Sequence, residues 1–521
     1  MDLERGEPDG FLEDAAHYPG GHAVGVVHPR SADEIAAVLS AAKTVLPIGA
    51  QSSLTGGATP MGDLILSTSR MTRVVDQSPD SITVQAGVTV ASMQEQLALR
   101  AAWFPPAPTF TGACAGGIVS TNAAGAATFK YGSTREWVAG LVVVLADGTI
   151  LELRRGMHGA KNGCFELDTN SGRVRIPLPS YSMPNVAKRS AGYYAARDMD
   201  LVDLFIGAEG TLGVVAEVTF RVLSPTPQSA LALISCRSER QALQLVLALR
   251  DASRETWRTG DRCGINAAAI ENVDARSITI IREDGADVRN DAVLPPDAAV
   301  ALLAQLELPP ETTQAEAYEQ IAEALSPGSR DGALVRFCRL LDAHDALDAT
   351  ELALPGDRRR AEQLIAIREA VPAGVNRRVG VAKRDVHPQI EKTAADMIVP
   401  VDRFAEMMET YRRGFESRGL DYAVWGHISD GNVHPNVIPR SYDDVVRGKE
   451  AILDFGRAAA ALGGCPLAEH GVGRNPVKQQ LLIQLYGERG VDEMRAVKRA
   501  LDPNWKLAPG VIFGRDSSTT K

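Results

Sequence analysis

The 521-residue chain lacks the features that would tie it to a membrane or to nucleic acid. No apolar run reaches the roughly 18 residues that a membrane-spanning helix needs. The formal net charge is −10 and no basic cluster offsets it, which argues against a nucleic-acid partner. The N-terminal segment is acidic and has no apolar core, so it does not resemble a secretory signal. We therefore expect a cytoplasmic protein with no transmembrane segment, associated with a membrane at most peripherally.

Cysteine is also scarce, and its spacing matters more than its number. The six cysteines are scattered, with no CxxC pair and no metal-cluster spacing: Cys114, Cys164, Cys236, Cys263, Cys338 and Cys465. Reduced, buried thiols are the usual state of such residues in an intracellular chain. The spacing argues against an iron–sulfur centre. At this length, one hydrophobic core is not enough, and at least two domains are expected.

The most informative stretch that is present is GHISDGNVHPN, residues 426–436. An Asp-Gly pair is typical of a two-residue β-hairpin turn, here Asp430 and Gly431. That turn would place His427 directly opposite His434, with Cβ atoms about 5 Å apart on one face. Two imidazoles so placed can bind one divalent metal ion. The alternative is a polar hairpin whose histidines stack on each other or face water.

A second motif, AEHGVG, adds Glu469 and His470 in a glycine-rich loop. Two histidines and one carboxylate suit Zn, Mn or Fe and leave a coordination position open for a substrate. Adjacent side chains on an extended loop point in different directions. We therefore expect Glu469 to face a metal and His470 to face a substrate, although a purely structural histidine is the alternative.

Three patches of small residues, each beside an apolar segment, characterise the first half of the chain. They are the loop at residues 49–57, the run at 111–125 and the segment at 207–213. Small residues allow a ligand to approach the backbone closely, but they also occur where a helix packs tightly on a sheet. The first loop has no GxGxxG spacing, which argues against a Rossmann site. Three such patches favour one shared ligand.

Local signals predict several elements. Ser31 and Glu34 form a capping box before a helix, and Asn475 with Pro476 begins another that runs to about residue 486, followed by a helix over 491–501. Residues 361–370 are predicted to be helical and to carry Arg368. The Pro- and acid-rich stretch 294–332 is expected to form short helices and loops.

The chain resembles the vanillyl-alcohol-oxidase (PCMH-type) FAD-binding family, in its D-lactate, glycolate and D-2-hydroxyglutarate dehydrogenase branch. The matching segments span residues 47–510 in order: PIGAQSSLTGG, GGIVSTNAAG, KRSAGYY, FIGAEGTLGVV, GHISDGNVHPN, AEHGVG and LDPNWKLAPG. The resemblance implies an α+β fold. It would have an FAD-binding domain at residues 1–223, an α+β substrate cap domain at 224–500 and a C-terminal segment, 501–521, that returns to the FAD domain.

By the same resemblance, the small-residue patches bind FAD. The implied contacts are Ile48, Gly49, Ala50, Gln51, Ser52, Ser53, Gly112, Gly116, Gly117, Ser120, Thr121, Asn122, Glu209, Gly210 and Val214. The first loop is poorer in glycine than is usual in the family. Some relatives tether the flavin through a histidine in this loop, and none lies between Pro47 and Gly57. Cys114 is expected to be a small buried residue, so the FAD should be non-covalent.

The resemblance also assigns a metal and catalytic groups. His427, His434 and Glu469 match the metal ligands, His470 matches a catalytic base and Asn436 matches a substrate contact. Arg368 matches an arginine that binds the substrate carboxylate, the alternative being a solvated helical arginine. A lysine of some relatives is replaced by Ala394, with Lys383 and Lys392 out of register, which leaves the substrate's identity open.

The function implied is metal-assisted, FAD-dependent oxidation of a small, D-lactate-like D-2-hydroxy acid to the 2-oxo acid. Electrons would pass to an external acceptor, namely a cytochrome, a quinone, an electron-transfer flavoprotein or oxygen, and a homodimer is compatible with the sequence. Two alternatives remain. One is a non-redox flavoenzyme similar to alkylglycerone-phosphate synthase, whose consecutive histidines have no counterpart here. The other is a non-catalytic FAD-binding subunit, which would not need the histidines and Glu469.

Overall fold

The computed structural model describes residues 5–6, 8–106 and 108–514 of the chain. The strands are β1 Arg5–Gly6, β2 His22–Val27, β3 Val45–Ile48, β4 Met61–Ser67, β5 Val74–Gln77, β6 Ser81–Gln85, β7 Val138–Val144, β8 Ile150–Arg154, β9 Cys164–Thr169, β10 Gly172–Pro177, β11 Val214–Arg221, β12 Gln228–Cys236, β13 Ala267–Asp274, β14 Val300–Leu308, β15 Thr350–Ala353, β16 Met397–Ile398, β17 Tyr422–His427 and β18 Asn432–Val437.

The helices alternate with these strands along the chain. They are α1 Ala32–Ala41, α2 Val90–Ala98, α3 Ala115–Ser120, α4 Thr128–Tyr131, α5 Leu201–Phe205, α6 Glu239–Thr259, α7 Ala275–Glu283, α8 Ala286–Arg289, α9 Gln314–Ala322, α10 Ala333–Ala343, α11 Arg358–Asp385, α12 Phe404–Glu416, α13 Tyr442–Ala461 and α14 Pro476–Leu501. In the described parts of the chain, none is both long and apolar enough to cross a membrane.

Several helix termini form as the sequence predicts. The Ser31 hydroxyl accepts a hydrogen bond from the Glu34 amide at 3.2 Å. The Glu34 carboxylate accepts one from the amide of Arg30, and not from that of Ser31 as a capping box requires. Asn475 caps α14, and the two predicted C-terminal helices meet inside α14 at Gly487, whose φ is 70°. A positive φ at one glycine interrupts the hydrogen-bonding pattern and separates the two halves.

The described chain divides into two compact units. The first contains the described residues up to 125, residues 132–224 and those from 463 onward, and the second contains residues 126–131 and 225–462. The sequence placed the return to the first domain at residue 501, whereas the chain returns at residue 463. The reason is packing, because α14 lies against β10 of the first unit and therefore brings the preceding residues with it.

The first unit is built on two larger sheets and a hairpin. One sheet has the order β1-β2-β4-β3, in which β2 and β3 run parallel to β4. The other is antiparallel, with the order β5-β6-β11-β7-β8, and β9 pairs with β10 separately. The apolar residues of α1 pack with those of β3, β4 and β11 in a common core that includes Ile35, Leu39, Val45, Leu66 and Val214.

The second unit is built on one antiparallel sheet with the order β15-β12-β14-β13-β17-β18-β16. Strand β14 lies inside the stretch that the sequence assigned to short helices and loops, so that prediction was wrong there. Seven of the nine residues of β14 are apolar and buried, so both faces of the strand are covered. A short apolar run without alternation does not distinguish a strand from a helix. Helices α7 and α11 pack on the face that carries Val273 and Trp425.

The histidine hairpin forms, but with a wider loop than predicted. His427 pairs with Asn432, and His434 pairs with Trp425, so residues 428–431 form a four-residue connection. In the Asp-Gly pair only Gly431 has a positive φ, 87°, whereas the predicted two-residue turn needs two such residues. The histidines are therefore diagonal neighbours and not directly opposed. Because pairing residues and residues two apart share a face, they still lie on the same face.

Candidate functional site

A cavity of about 310 Å³ in the first unit brings the three small-residue patches together. The predicted residues that line it come from all three: Ile48, Gly49, Ala50, Gln51, Ser52, Ser53, Gly116, Gly117, Ser120, Thr121, Glu209, Gly210 and Val214. Its size falls in the range of small-molecule and cofactor sites. Lining a cavity is not the same as touching a ligand, so the individual contacts with flavin stay predictions.

Two adjacent glycines of α3 show why this patch contains so many small residues. A Cβ built on Gly116 would lie 2.8 Å from the Cβ of Ala86, so this glycine allows α3 to pack closely on the end of β6. A Cβ built on Gly117 would meet nothing within 4 Å, and Gly117 lines the cavity. Both explanations offered by the sequence, close helix packing and space for a ligand, therefore apply at neighbouring positions.

Two predicted flavin contacts, Gly112 and Asn122, are not among the residues that line the cavity. A Cβ on Gly112 would lie 2.5 Å from the ring of Phe110, which does line it, so Gly112 makes room for that ring. Asn122 has a φ of 48°, and its carboxamide oxygen accepts bonds from the Ser133 hydroxyl and the Arg135 amide. Its side chain holds the backbone after α3, and a sequence motif does not distinguish that role from ligand binding.

Gln51 and Cys114 both line the cavity, but the side chain of Gln51 hydrogen-bonds to the backbone and that of Cys114 is buried. The Gln51 carboxamide donates to the carbonyls of Phe11 and Ala58, each at 2.9 Å, so its side chain fixes the loop. Cys114 is buried against Gly49, and burial raises the pKa of its thiol. A thiol held in its protonated form is a poor nucleophile.

The loop that carries Glu469 and His470 is held against the same cavity by Glu209. The Glu209 carboxylate accepts the amides of Val472 and Gly473, both at 2.8 Å. Burial raises the pKa of Glu209 to about 7, although the two amides and the charge of Lys478 oppose the shift. Gly473 has a φ of 59°, and a Cβ there would lie 2.2 Å from the Thr55 hydroxyl oxygen. Only glycine fits this position.

Glu469 and His470 both line the cavity, and their side chains do not diverge as the sequence argument expected. The nearest atoms of the two groups, Oε2 of Glu469 and Nε2 of His470, lie 3.9 Å apart. Positive φ at Gly471, 72°, turns the backbone directly after them, so the alternation of an extended strand does not apply. The other Glu469 oxygen lies 2.5 Å from the ammonium of Lys188, which is fully buried.

The hairpin histidines lie in the second unit, whereas Glu469 and His470 lie in the first. Both imidazoles are buried, with 2% exposure for His427 and 8% for His434, and their ring centres are 5.6 Å apart with perpendicular planes. This arrangement excludes the alternative of a hairpin whose histidines face water. The rings approach edge to face, so they do not stack in parallel.

Each of these imidazoles has a carboxylate beside its Nδ1 atom. The Oε1 atom of Glu271 lies 2.8 Å from Nδ1 of His427, and Oδ1 of Asp396 lies 3.5 Å from Nδ1 of His434. Metal-binding histidines commonly use one ring nitrogen for the ion and direct the other to a carboxylate. His427 therefore has the surroundings of a metal ligand that would use Nε2, whereas His434 has a carboxylate nearby but, among the described residues, no hydrogen bond at Nδ1.

Arg368, on α11, lies beside the same group of side chains. Its Nε atom is 3.3 Å from Oε2 of Glu271, and one terminal nitrogen donates to Glu369 at 2.8 Å. Its side chain is only 12% exposed, so it is not the solvated helical arginine of the alternative interpretation. Burial alone would lower the pKa of Arg368, but Glu271 and Glu369 outweigh burial and raise it.

Asn436 is buried on the same face of β18 as His434. Its carboxamide nitrogen donates to the His434 carbonyl at 2.8 Å, and its carboxamide oxygen has no hydrogen-bond partner among the described residues. A buried acceptor without a partner costs roughly 1–3 kcal/mol. A ligand hydroxyl or ammonium group would satisfy it, which fits the substrate contact that the sequence predicts.

Sequence reasoning did not identify Glu271, Asp396 or Lys188 as members of these groups. A usable signal was present for Glu271, an acid that follows four apolar residues in the strand sequence AAAIENVD, because a buried charge in a central strand requires a partner. For Asp396 and Lys188 no local signal exists, since their partners are distant in sequence.

Two models of known families match this chain. A model of the C-terminal domain of FAD-linked oxidases matches residues 236–512, more than half of the chain, and a model of an FAD-binding domain matches residues 23–154. The chain belongs to the FAD-linked oxidase family. The fold class and family expected from the sequence are thus confirmed, and an FAD-binding domain is present.

Characterised relatives are similar over most of their length but distant. The chain is 28% identical to the glycolate oxidase subunit GlcD of Bacillus subtilis, over 94% of this chain and 89% of the relative. It is 27% identical to a D-2-hydroxyglutarate dehydrogenase of Xanthomonas citri (94% and 89%) and 26% identical to a D-lactate dehydrogenase of Archaeoglobus fulgidus (94% and 90%). These relatives have different named substrates, so they do not identify the substrate of this chain.

Among solved structures, alkyldihydroxyacetonephosphate synthase has a similar fold. The TM-score is 0.55 at 15% identity, with 93% of this chain and 76% of the synthase covered. At this identity the likeness concerns the fold alone. It does not favour the synthase reaction over oxidation.

Proposed function

We propose that this FAD-linked oxidase converts a small D-2-hydroxy acid to the corresponding 2-oxo acid with the help of a divalent metal ion. One observation carries the proposal. His427 and His434 are buried side by side with a carboxylate oxygen 2.8 Å and 3.5 Å, respectively, from Nδ1, so Nε2 of each ring would be the atom directed to one ion. The named activities of the relatives, all oxidations of 2-hydroxy acids, support the same reaction class.

The donor set suits the proposed ion. Two neutral imidazoles with one carboxylate are ligands for Zn, Mn or Fe, and Glu469 remains the proposed third ligand on the family resemblance. When bound, such an ion supplies Lewis acidity that lowers the pKa of a coordinated hydroxyl group.

The remaining residues would bind and orient the acid. Arg368 would form charge-assisted hydrogen bonds with the substrate carboxylate, which fix its orientation as well as its charge. The free oxygen of Asn436 would accept a hydrogen bond from the substrate. His470, on the wall of the cavity of the first unit, would take the proton of the 2-hydroxyl group. Bound FAD supplies the acceptor for the hydride from C2.

Two electrons collected in this way must leave to another molecule. The scattered cysteines argue against an iron–sulfur centre in this chain, so the proposed acceptor is external: a cytochrome, a quinone, an electron-transfer flavoprotein or oxygen.

An anaerobic titration of the flavin-loaded protein tests the proposal. D-lactate, D-2-hydroxyglutarate and glycolate are added separately, and the visible absorbance of the oxidised flavin is followed. Bleaching by at least one of the acids, but not by the L-enantiomer of the same acid where it has one, is expected. A flavin that stays oxidised with all three acids would contradict the proposal and favour a transferase or a non-catalytic subunit.

A further inference from the structure

We infer that Glu271 is a positioning residue, which holds His427 with hydrogen on Nδ1 and presents Nε2 of the ring to the metal ion, and that Asp396 acts more weakly on His434 through its charge alone. The inference rests on the proposed function, because it concerns the ion assigned there. Neither acid was identified from the sequence, and neither is proposed to touch the ion. The role of Glu271 would be to set the tautomer and the orientation of its imidazole partner.

Glu271 is placed for this role by the sheet. Strand β13 pairs with β17 through Asn272 with Gly426 and Val273 with Trp425, which puts Glu271 beside His427. The contact is 2.8 Å, and the carboxylate is 7% exposed. An ionised carboxylate only accepts hydrogen bonds, so the hydrogen must be on Nδ1 of His427. The lone pair of a neutral ring is then on Nε2.

Asp396 makes the corresponding, longer contact with His434. Its Oδ1 atom is 3.5 Å from Nδ1 of His434 and accepts a hydrogen bond from the Asn432 carboxamide at 3.0 Å. The same carboxamide donates to the carbonyl of Met397, so Asn432 ties Asp396 to the hairpin. Nδ1 of His434 makes no hydrogen bond to Asp396 at this distance, so the contact is electrostatic only, and we expect Asp396 to contribute less than Glu271.

The second oxygen of Glu271 gives this residue a wider effect. Oε2 lies 3.3 Å from Nε of Arg368, so one carboxylate contacts both a proposed metal ligand and the proposed substrate arginine. Loss of that carboxylate should therefore weaken metal binding and also raise the KM for the acid. If the carboxylate only stabilised the sheet, its loss would not selectively change either the metal affinity or the KM.

The chain offers a matched control for a buried glutamate of this sheet. Glu307, on the neighbouring strand β14, is 4% exposed and contacts Lys130 and the Tyr131 hydroxyl, the latter at 2.6 Å. It is as buried as Glu271 and equally bound to a cation, but its contacts are with a lysine and a tyrosine and not with an imidazole. Glu307→Gln thus shares the general cost of removing a buried charge.

The test compares wild type with Glu271→Gln, Asp396→Asn and Glu307→Gln. Each flavoprotein is freed of metal with a chelator and then titrated with Zn²⁺ against a chromophoric chelator. Loss of a residue that hydrogen-bonds to a metal ligand commonly weakens metal binding about 10–100-fold, so the Zn²⁺ affinity of Glu271→Gln should fall by that factor. Asp396→Asn should show a smaller loss, and Glu307→Gln should bind like wild type. Flavin content and the unfolding midpoint are measured in parallel.

The results separate this inference from the function on which it depends. If the wild type binds no Zn²⁺, or if His427→Ala binds it equally well, the proposed metal site is wrong. If the wild type binds Zn²⁺ through His427 but Glu271→Gln binds within twofold of it, the positioning role alone is overturned. Equal losses in Glu271→Gln and Glu307→Gln would also overturn it, because they would show a general effect of buried charge. Should Glu271→Gln fail to fold, Glu271→Asp, which keeps the charge but shortens the side chain, is compared with Glu307→Asp by the same criteria.

Discussion

Replacing Glu209 with glutamine should change how the stability of the protein depends on pH. In the folded protein burial raises the pKa of this carboxyl to about 7, against an ordinary value of 4.5. The folded state therefore binds the proton more tightly than the unfolded state does. It follows that the free energy of unfolding contributed by Glu209 is greatest below pH 4.5 and falls as the pH rises through 7.

The size of the effect follows from the shift. A difference of one pKa unit corresponds to about 1.4 kcal/mol, so the full shift would amount to roughly 3 kcal/mol. Because Glu209 lines a cavity and is partly accessible, we expect about 2–3 kcal/mol. Glutamine does not titrate. Its single carboxamide oxygen can accept a good hydrogen bond from only one of the two loop amides. The free energy of unfolding should therefore fall by a further amount of about 1–3 kcal/mol that does not vary with pH.

The assay is urea unfolding of flavin-depleted protein between pH 4.5 and pH 8, followed by tryptophan fluorescence. The stability difference between wild type and Glu209→Gln should favour wild type most at the acid end and shrink by about 2–3 kcal/mol toward pH 8. Glu319→Gln, at an exposed position of α9, controls for the generic effect of the substitution. If the difference in the free energy of unfolding between wild type and Glu209→Gln stays constant across this pH range, the raised pKa of Glu209 is refuted.

Four further predictions address the site. His427→Ala should slow flavin reduction by the hydroxy acid more than about 100-fold while FAD stays bound. The reason is that even the loss of a residue hydrogen-bonded to a metal ligand lowers metal affinity or activity about 10–100-fold. Full activity, measured by anaerobic stopped flow, would remove the metal from the mechanism. Arg368→Gln should raise KM about 10–100-fold in steady-state kinetics, the equivalent of one or two charge-assisted hydrogen bonds, and an unchanged KM would contradict carboxylate binding. Gly473→Ala should destabilise the protein by about 3 kcal/mol or more, because the added Cβ would lie 2.2 Å from the Thr55 hydroxyl oxygen. The control is Gly380→Ala, whose added Cβ would meet nothing within 4 Å and should shift the thermal midpoint little. Acid precipitation should release all of the FAD into the supernatant, and yellow, flavin-labelled protein in the pellet would show a covalent link.

The elements that the sequence predicted correctly depend on short-range chemistry. Ser31 and Asn475 cap helices because a hydroxyl or carboxamide satisfies amides two or three residues away, whatever the rest of the fold does. The hairpin of β17 and β18 is equally local. The patches of small residues do line one cavity, because small side chains leave space against the backbone.

Tertiary structure decided which groups meet. The hairpin register was not local, because the Ser429 amide donates to the carbonyl of Ile270 on β13 and Gly431 packs against Val399, so neighbouring strands hold the loop. Glu271 lies beside His427, 156 residues away in sequence, only because β13 is the neighbour of β17 in the sheet.

The sequence by itself therefore determined the family, the cofactor class and the residue types available for chemistry. Which carboxylate lies beside each histidine, which carboxylate contacts Arg368 and which amides Glu209 binds were decided by contacts between distant segments. The physical reason is that caps and turns are fixed by backbone sterics within a few residues, whereas the partners of a buried charge are set by the order in which strands pair.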